Sequence, residues 1–267
     1  MEQTTDKSTG KKLSIILWII AFIITVFTAY FQRVTGPTYP LSGSVSFMGK
    51  DIFYKLDRSG SSNDNSTIKL NVNDDKLQGV LLWKRYNTND ELTRVDMKNE
   101  KGVLSGDLPK QLPSGKLQYF IRVIGPSTEI NVPKEPVVLR FKGDIPFIIL
   151  LLHIVIMFAA MLFSTRTGLE IFRKEPGFKK YAYWTIALLT VGGLVLGAIV
   201  QKYAFGEYWT GIPFGFDLTD NKTLIAWLAW ILTIIMLYRS AKAKYWVLGA
   251  SIITIVIFLI PHSLLGT

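Results

Sequence analysis

Five long apolar runs, at residues 13–31, 145–164, 182–201, 224–238 and 245–260, decide most of what this chain can become. A hydrocarbon layer about 30 Å thick takes roughly 20 helical residues to cross, and only these runs approach that length. Within such a layer each backbone N–H and C=O must be satisfied without water, so an isolated apolar run crosses as a helix. Hydrophobic residues make up 49% of the 267 positions before glycine is counted, more than a water-soluble domain uses. The expected fold is a membrane α-helical bundle of five transmembrane helices, with an all-β domain inserted after the first.

Lys11 and Lys12 precede the first run, as they would in a secretory signal. The run is longer than a signal core and no small-x-small site closes it, so we read it as an uncleaved anchor. Basic residues beside a span resist translocation, which orients the rest. Lys7, Lys11 and Lys12 precede the first span; Arg166, Arg173, Lys174, Lys179 and Lys180 join the second to the third; Arg239, Lys242 and Lys244 join the fourth to the fifth. With five spans all three clusters share one side. The expected placement is a bacterial-type inner (cytoplasmic) membrane, N-terminus inside and C-terminus outside. The net charge of +10 is then a topology signal, leaving nothing for a nucleic-acid partner to explain.

The segment 36–143, between a 1–35 tail-and-anchor and a 144–267 helical domain, changes to short alternating runs bounded by Gly, Pro, Asn and Asp. Candidate strands are 43–48, 52–56, 67–72, 79–86, 92–97, 116–124, 128–132 and 137–141. Strands this short and frequent fit an extracytoplasmic sandwich. The run from Leu112 to Val123 resembles the penultimate strand of fibronectin type III and immunoglobulin-like modules, which places Tyr119 at a pinned corner. Trp83 reads as core packing and residues 58–66 as a mobile connection. The segment holds no histidine and its carboxylates sit at turns, so it reads as a contact module for protein partners.

Cysteine is absent, which excludes disulfides, thiol catalysis and thioether-attached haem. Two histidines remain. His153 falls about eight residues into the second span, roughly 12 Å deep, and His262 follows Pro261 at the outer end of the fifth. An ionisable group inside a span is a functional candidate; a neutral imidazole hydrogen-bonded to a neighbouring helix is the alternative. The outer loop 202–222 is dense in glycine and aromatics, with Trp209, Phe214 and Phe216 as a candidate floor for a planar ring and Asp217 as a polar contact. The same residues also suit an interfacial aromatic belt, with Thr219 or Asp220 capping the fourth span. Asp217, Asp220 and Asn221 are in addition a candidate cation site. Gly192, Gly193 and Gly197 read as a close-packing face, or as room for a porphyrin. Arg166 and Glu170, four apart, read as a surface pair.

The run Gly206-x-Tyr208-Trp209, then Asp217, then Thr223-Leu-Ile-x-Trp227-Leu, closing with Arg239, resembles the tryptophan-rich loop of the haem-handling proteins of cytochrome c biogenesis. That resemblance implies haem b resting on the loop outside the membrane, with His153 and His262 as iron ligands. The expected functions are haem handling or electron transfer and, alternatively, a non-catalytic subunit of an inner-membrane complex that docks through its β domain. A transporter fits less well, because few charges interrupt the spans and no inverted repeat is visible.

Overall fold

A computed structural model describes residues 2–261, with side chains from residue 10 onward. It divides into a helical unit and a β unit, the latter formed chiefly by Thr38–Asp144.

All five apolar runs are helical. They form α1 (Glu2–Val34), α2 (Phe147–Leu169), α3 (Phe178–Leu189), a π-helical stretch (Thr190–Leu196), α4 (Gly197–Phe205), α5 (Leu218–Arg239) and α6 (Ala243–Leu259). The elements from α3 to α4 are one continuous helix, Phe178–Phe205. Among the described residues four helices have the length and composition to cross a membrane, and the 17-residue α6 is a shorter apolar fifth. Their faces are arranged for a lipid solvent. Ile252, Ile253 and Val256 of α6 point outward while Ala250, Ser251 and Thr254 are buried; on α5, Ile225, Leu228 and Leu232 are outward while Ala226 and Thr233 are buried. In water this would be inside out. In lipid, greasy side chains gain nothing from burial, and small or hydroxylated ones let helices approach. Two indoles tie helices together: that of Trp230 donates to Thr254 Oγ1 at 3.0 Å, and that of Trp227 to Thr190 Oγ1 at 2.9 Å.

The β unit has nine strands: β1 (Leu41–Phe47), β2 (Lys50–Leu56), β3 (Ser59–Ser61), β4 (Ser66–Asn71), β5 (Gln78–Arg85), β6 (Thr93–Glu100), β7 (Val103–Leu108), β8 (Lys116–Ile124) and β9 (Glu129–Lys142). One mixed sheet runs β3-β9-β8-β5-β6-β7-β4, beside a β1–β2 hairpin. Strand β6 changes partner partway, pairing Thr93–Met97 with β5 and Lys98–Glu100 with β7, which bends the sheet over itself. The hairpin sets β1 beside β9 and β2 beside β4, completing a near-barrel. This departs from two separate sheets because one strand serves both layers. The core follows the period of two; on β8, Leu117, Tyr119, Ile121 and Val123 are all buried.

Three expectations need correction here. The expected strands 128–132 and 137–141 are a single β9, with an irregular register opposite Tyr119 and Ile121. Residues 58–66 are not merely a connection, since β3 pairs parallel with β9 there. Tyr119 is buried, but its hydroxyl donates 2.8 Å to the Asp57 carbonyl, 62 residues upstream, so it pins the β2–β3 link rather than a local corner. Trp83 packs against the core as expected, half-buried.

Candidate functional site: the polar ends of the helical unit

The end of the helical unit that carries the loop 206–217 is built around glycines. A π-helical turn is wider than an α-turn, its carbonyls accepting from the fifth residue on. One of these, Gly192 O, lies 2.9 Å from His153 Nδ1. A carbonyl only accepts, so Nδ1 carries the proton and Nε2 keeps its lone pair. Gly192 and Gly193 leave no room for a side chain, whereas Gly197 does. A Cβ on Gly192 would lie 2.9 Å from Ile156 Cγ2 and from Met157 Sδ, one on Gly193 would lie 2.7 Å from Thr223 Cγ2, and one on Gly197 would lie 3.6 Å from His153 Cε1. The glycine face is therefore filled by neighbouring helices, which is the close-packing reading.

Above it, the loop 206–217 is fastened to α5. Asp217 caps that helix, its Oδ1 accepting from the amides of Thr219 (2.8 Å) and Asp220 (3.0 Å). The cap is Asp217, not Thr219 or Asp220, and this leaves Asp220 to reach elsewhere. Its Oδ2 gathers the amides of Thr210 (2.6 Å) and Gly211 (3.0 Å), the Gln201 amide nitrogen (3.0 Å) and the Thr210 hydroxyl (3.3 Å). Asn221 Oδ1 takes the Ile212 amide at 2.7 Å. A Cβ on Gly211 would lie 2.6 Å from Asp220 Cβ, so only glycine lets the loop come this close. Lys222, also buried, donates 2.7 Å to the Ile260 carbonyl, which Gln32 reaches from α1 at 3.1 Å. Three consecutive side chains thus hold the preceding loop and the segment just after α6.

The candidate residues are not gathered into one site by the described contacts. His153 meets Gly192 and Gly197 within the span. Trp209 is half-buried, its indole donating to Ile212 O at 3.1 Å, and Asp217 serves as a cap. Phe214 and Phe216 are 83% and 85% exposed. His262 lies outside the described residues. The candidate cation ligands Asp220 and Asn221 accept from loop amides, and among the described residues no group of three His, Cys, Asp or Glu is placed to hold a metal.

The opposite end of the helical unit holds what the sequence reading misplaced. Arg166 and Glu170 are not a surface pair: both side chains are fully buried and ion-paired. The guanidinium also reaches Ser14 Oγ at 3.2 Å and lies 5.4 Å from the Trp18 ring and 5.0 Å from that of Tyr181. Glu170 accepts the Gly177 amide and faces Arg173 at 3.5 Å. A charge pair four residues apart at a span end, with Ser164, Thr165 and Thr167 beside Arg166, was the available signal. No protein-family model matches the chain, and no curated protein matches it significantly.

Proposed function

We propose that this protein is a non-catalytic subunit of a larger inner-membrane complex, anchored by its helices and docking through its extracytoplasmic part. The observation that supports it best is the fastened loop. Asp220 and Asn221 fix Thr210, Gly211 and Ile212, while Phe214 and Phe216 stand exposed beyond them. Aromatic anchors held rigid before binding lose little entropy on association, and interfaces concentrate their energy in such residues. The β unit, read as an immunoglobulin-like module, adds a second contact surface. In this reading the N-terminus is cytoplasmic, and the β unit, the loop and the C-terminus are outside; reporter fusions at residues 5 and 267 that are active in the same compartment would overturn that topology.

The test is native electrophoresis of membranes solubilised in mild detergent. The wild-type chain should run in an assembly well above its own 30.1 kDa. Phe214→Ser with Phe216→Ser should release the free chain at unchanged abundance. A wild-type chain that runs free, or a double variant that leaves the assembly intact, removes the proposal.

A second reading, haem b at the outer end, has one observation in its favour. The ring of His153 is held through Nδ1 by a backbone carbonyl, the arrangement that orients metal-binding histidines and leaves Nε2 to ligate. His262 would be the second ligand, and Trp209 and Asp217 would border the group. A Soret band in purified protein, lost in His153→Ala, would favour this reading over docking alone; its absence after haem supplementation would end it.

A further inference from the structure

The basic residues at the inner end have a placement that topology alone does not require. A groove of about 330 Å³ opens there, lined by Pro176, Gly177, Phe178, Lys179, Lys180, Leu237 and Ala243. It lies where α3 and α6 begin and α5 ends. Lys179 and Lys180 sit in the first turn of α3, and Lys242 and Lys244 flank the groove residue Ala243 at the start of α6. All four are exposed.

Lysine is the wrong charge for a helix start, where unpaired N–H groups already carry partial positive charge. Neither helix offsets this: each lacks an acidic residue in its first turn and a side-chain cap. Among the described residues none of the four lysines is ion-paired with a carboxylate, Glu170 being taken by Arg166 and Arg173. Lys179 lies instead 3.9 Å from the Tyr238 ring centre. The walls supply the complement: Phe178 and Leu237 are apolar, and both belong to helices of membrane-spanning composition. Positive charge over an apolar wall at a span end matches an anionic headgroup above its acyl chains.

We infer that this groove binds the headgroup of an anionic phospholipid, with Lys179, Lys180 and Lys244 around the phosphate and Phe178 and Leu237 against the first acyl carbons. A basic side chain beside an anionic surface is worth about fivefold in binding. The test is native mass spectrometry of the full chain released from nanodiscs of equal phosphatidylglycerol and phosphatidylcholine. Wild type should retain phosphatidylglycerol preferentially, and Lys179→Gln/Lys180→Gln/Lys244→Gln should lose on the order of a hundredfold. Lys11→Gln/Lys12→Gln, at the same end but outside the groove, should keep it. Should the triple variant not fold, Lys180→Gln alone should lose about fivefold and Lys180→Arg should recover it. Equal loss in the Lys11/Lys12 variant, equal retention of both lipids, or thermal stabilisation by inorganic phosphate matching that by the lipid would overturn the inference.

Discussion

Replacing Glu170 by leucine removes the carboxylate that, among the described residues, pairs with Arg166. In the wild type the guanidinium is fully buried, paired with Glu170 and otherwise supported by Ser14 Oγ and two aromatic ring faces. Breaking a buried pair from one side strands a charge and costs about 3–5 kcal/mol, whereas an exposed pair at this spacing is worth about 0.3–0.5 kcal/mol. The Gly177 amide loses its acceptor in the same change, but costs at one site overlap rather than add. Removing both charges, as Arg166→Met with Glu170→Leu, leaves that amide unmet, about 1–3 kcal/mol, and turns Arg173, which is part-exposed, to water. The double variant should therefore be more stable than the Glu170→Leu single variant. Reversible unfolding in mixed SDS and mild-detergent micelles measures all three proteins. Ser14 and Trp18 belong to α1, so the single variant should also speed hydrogen exchange along the first turns of that helix's described part. A Glu170→Leu protein within about 1 kcal/mol of wild type, or a double variant as unstable as the single, would refute the buried clamp.

Asp220→Ala should raise hydrogen exchange at Thr210 and Gly211 at least about tenfold, the equivalent of one net hydrogen bond, whereas Asp217→Ala should fray the start of α5 at about 0.5–2 kcal/mol and leave those amides protected. Gly193→Ala should destabilise the helical unit by about 1–3 kcal/mol through contact with Thr223 Cγ2, and Thr223→Ser, which deletes that methyl, should restore most of the loss in the same unfolding assay. Residues 38–144, excised, should melt cooperatively in water because their core is their own. In that fragment burial holds the Tyr119 phenol well above its ordinary value of 10.0. The folded state then keeps the proton more tightly, so this contribution is intact below pH 10.0 and falls away as the pH rises beyond it. Tyr119→Phe should lower stability by about 1 kcal/mol at neutral pH and flatten the loss above pH 10; equal alkaline slopes would remove the burial argument.

What could be read from the sequence followed from rules that need only one element. Apolar length was enough for the helices, because nothing but a helix satisfies the backbone of residues such as 147–163 in lipid. Alternation was enough for β8, whose buried set is every second residue. Strand β7 escaped because Ser105, Gly106 and Asp107 interrupt its pattern, and the reason for the glycine lies on another strand: a Cβ there would lie 3.1 Å from Met97 Cγ. The surface assignment of Arg166 and Glu170 failed for a related cause. Spacing of four residues says that two side chains meet, and it says nothing of what covers them. Ser14, Trp18 and Tyr181 do so from two other helices. Asp220 was ambiguous in the same way, since a carboxylate at a helix start can cap its own helix or hold a distant loop. The approach of Gly211, nine residues earlier, decides it.

The polar ties of the helical unit sort by depth, and this bears on how His153 should be read. Within the spans they are neutral: Trp230 to Thr254, Trp227 to Thr190, His153 to Gly192. The charged groups lie toward the ends, Arg166 and Glu170 at one and Asp220 and Lys222 at the other, where water and headgroups shorten the distance over which a charge must be desolvated. A neutral imidazole donating to the Gly192 carbonyl, which also accepts the Gly197 amide in the π-helical turn, fits the first group, and its Nδ1 contact reads as packing. Any functional claim for the residue therefore rests on Nε2. Gln in place of His153 could preserve the donation to Gly192 while supplying no imidazole nitrogen, so it separates the two roles. A stable His153→Gln protein with unaltered assembly would make the histidine a packing device, whereas a stable variant that lost a bound chromophore would assign it to ligation.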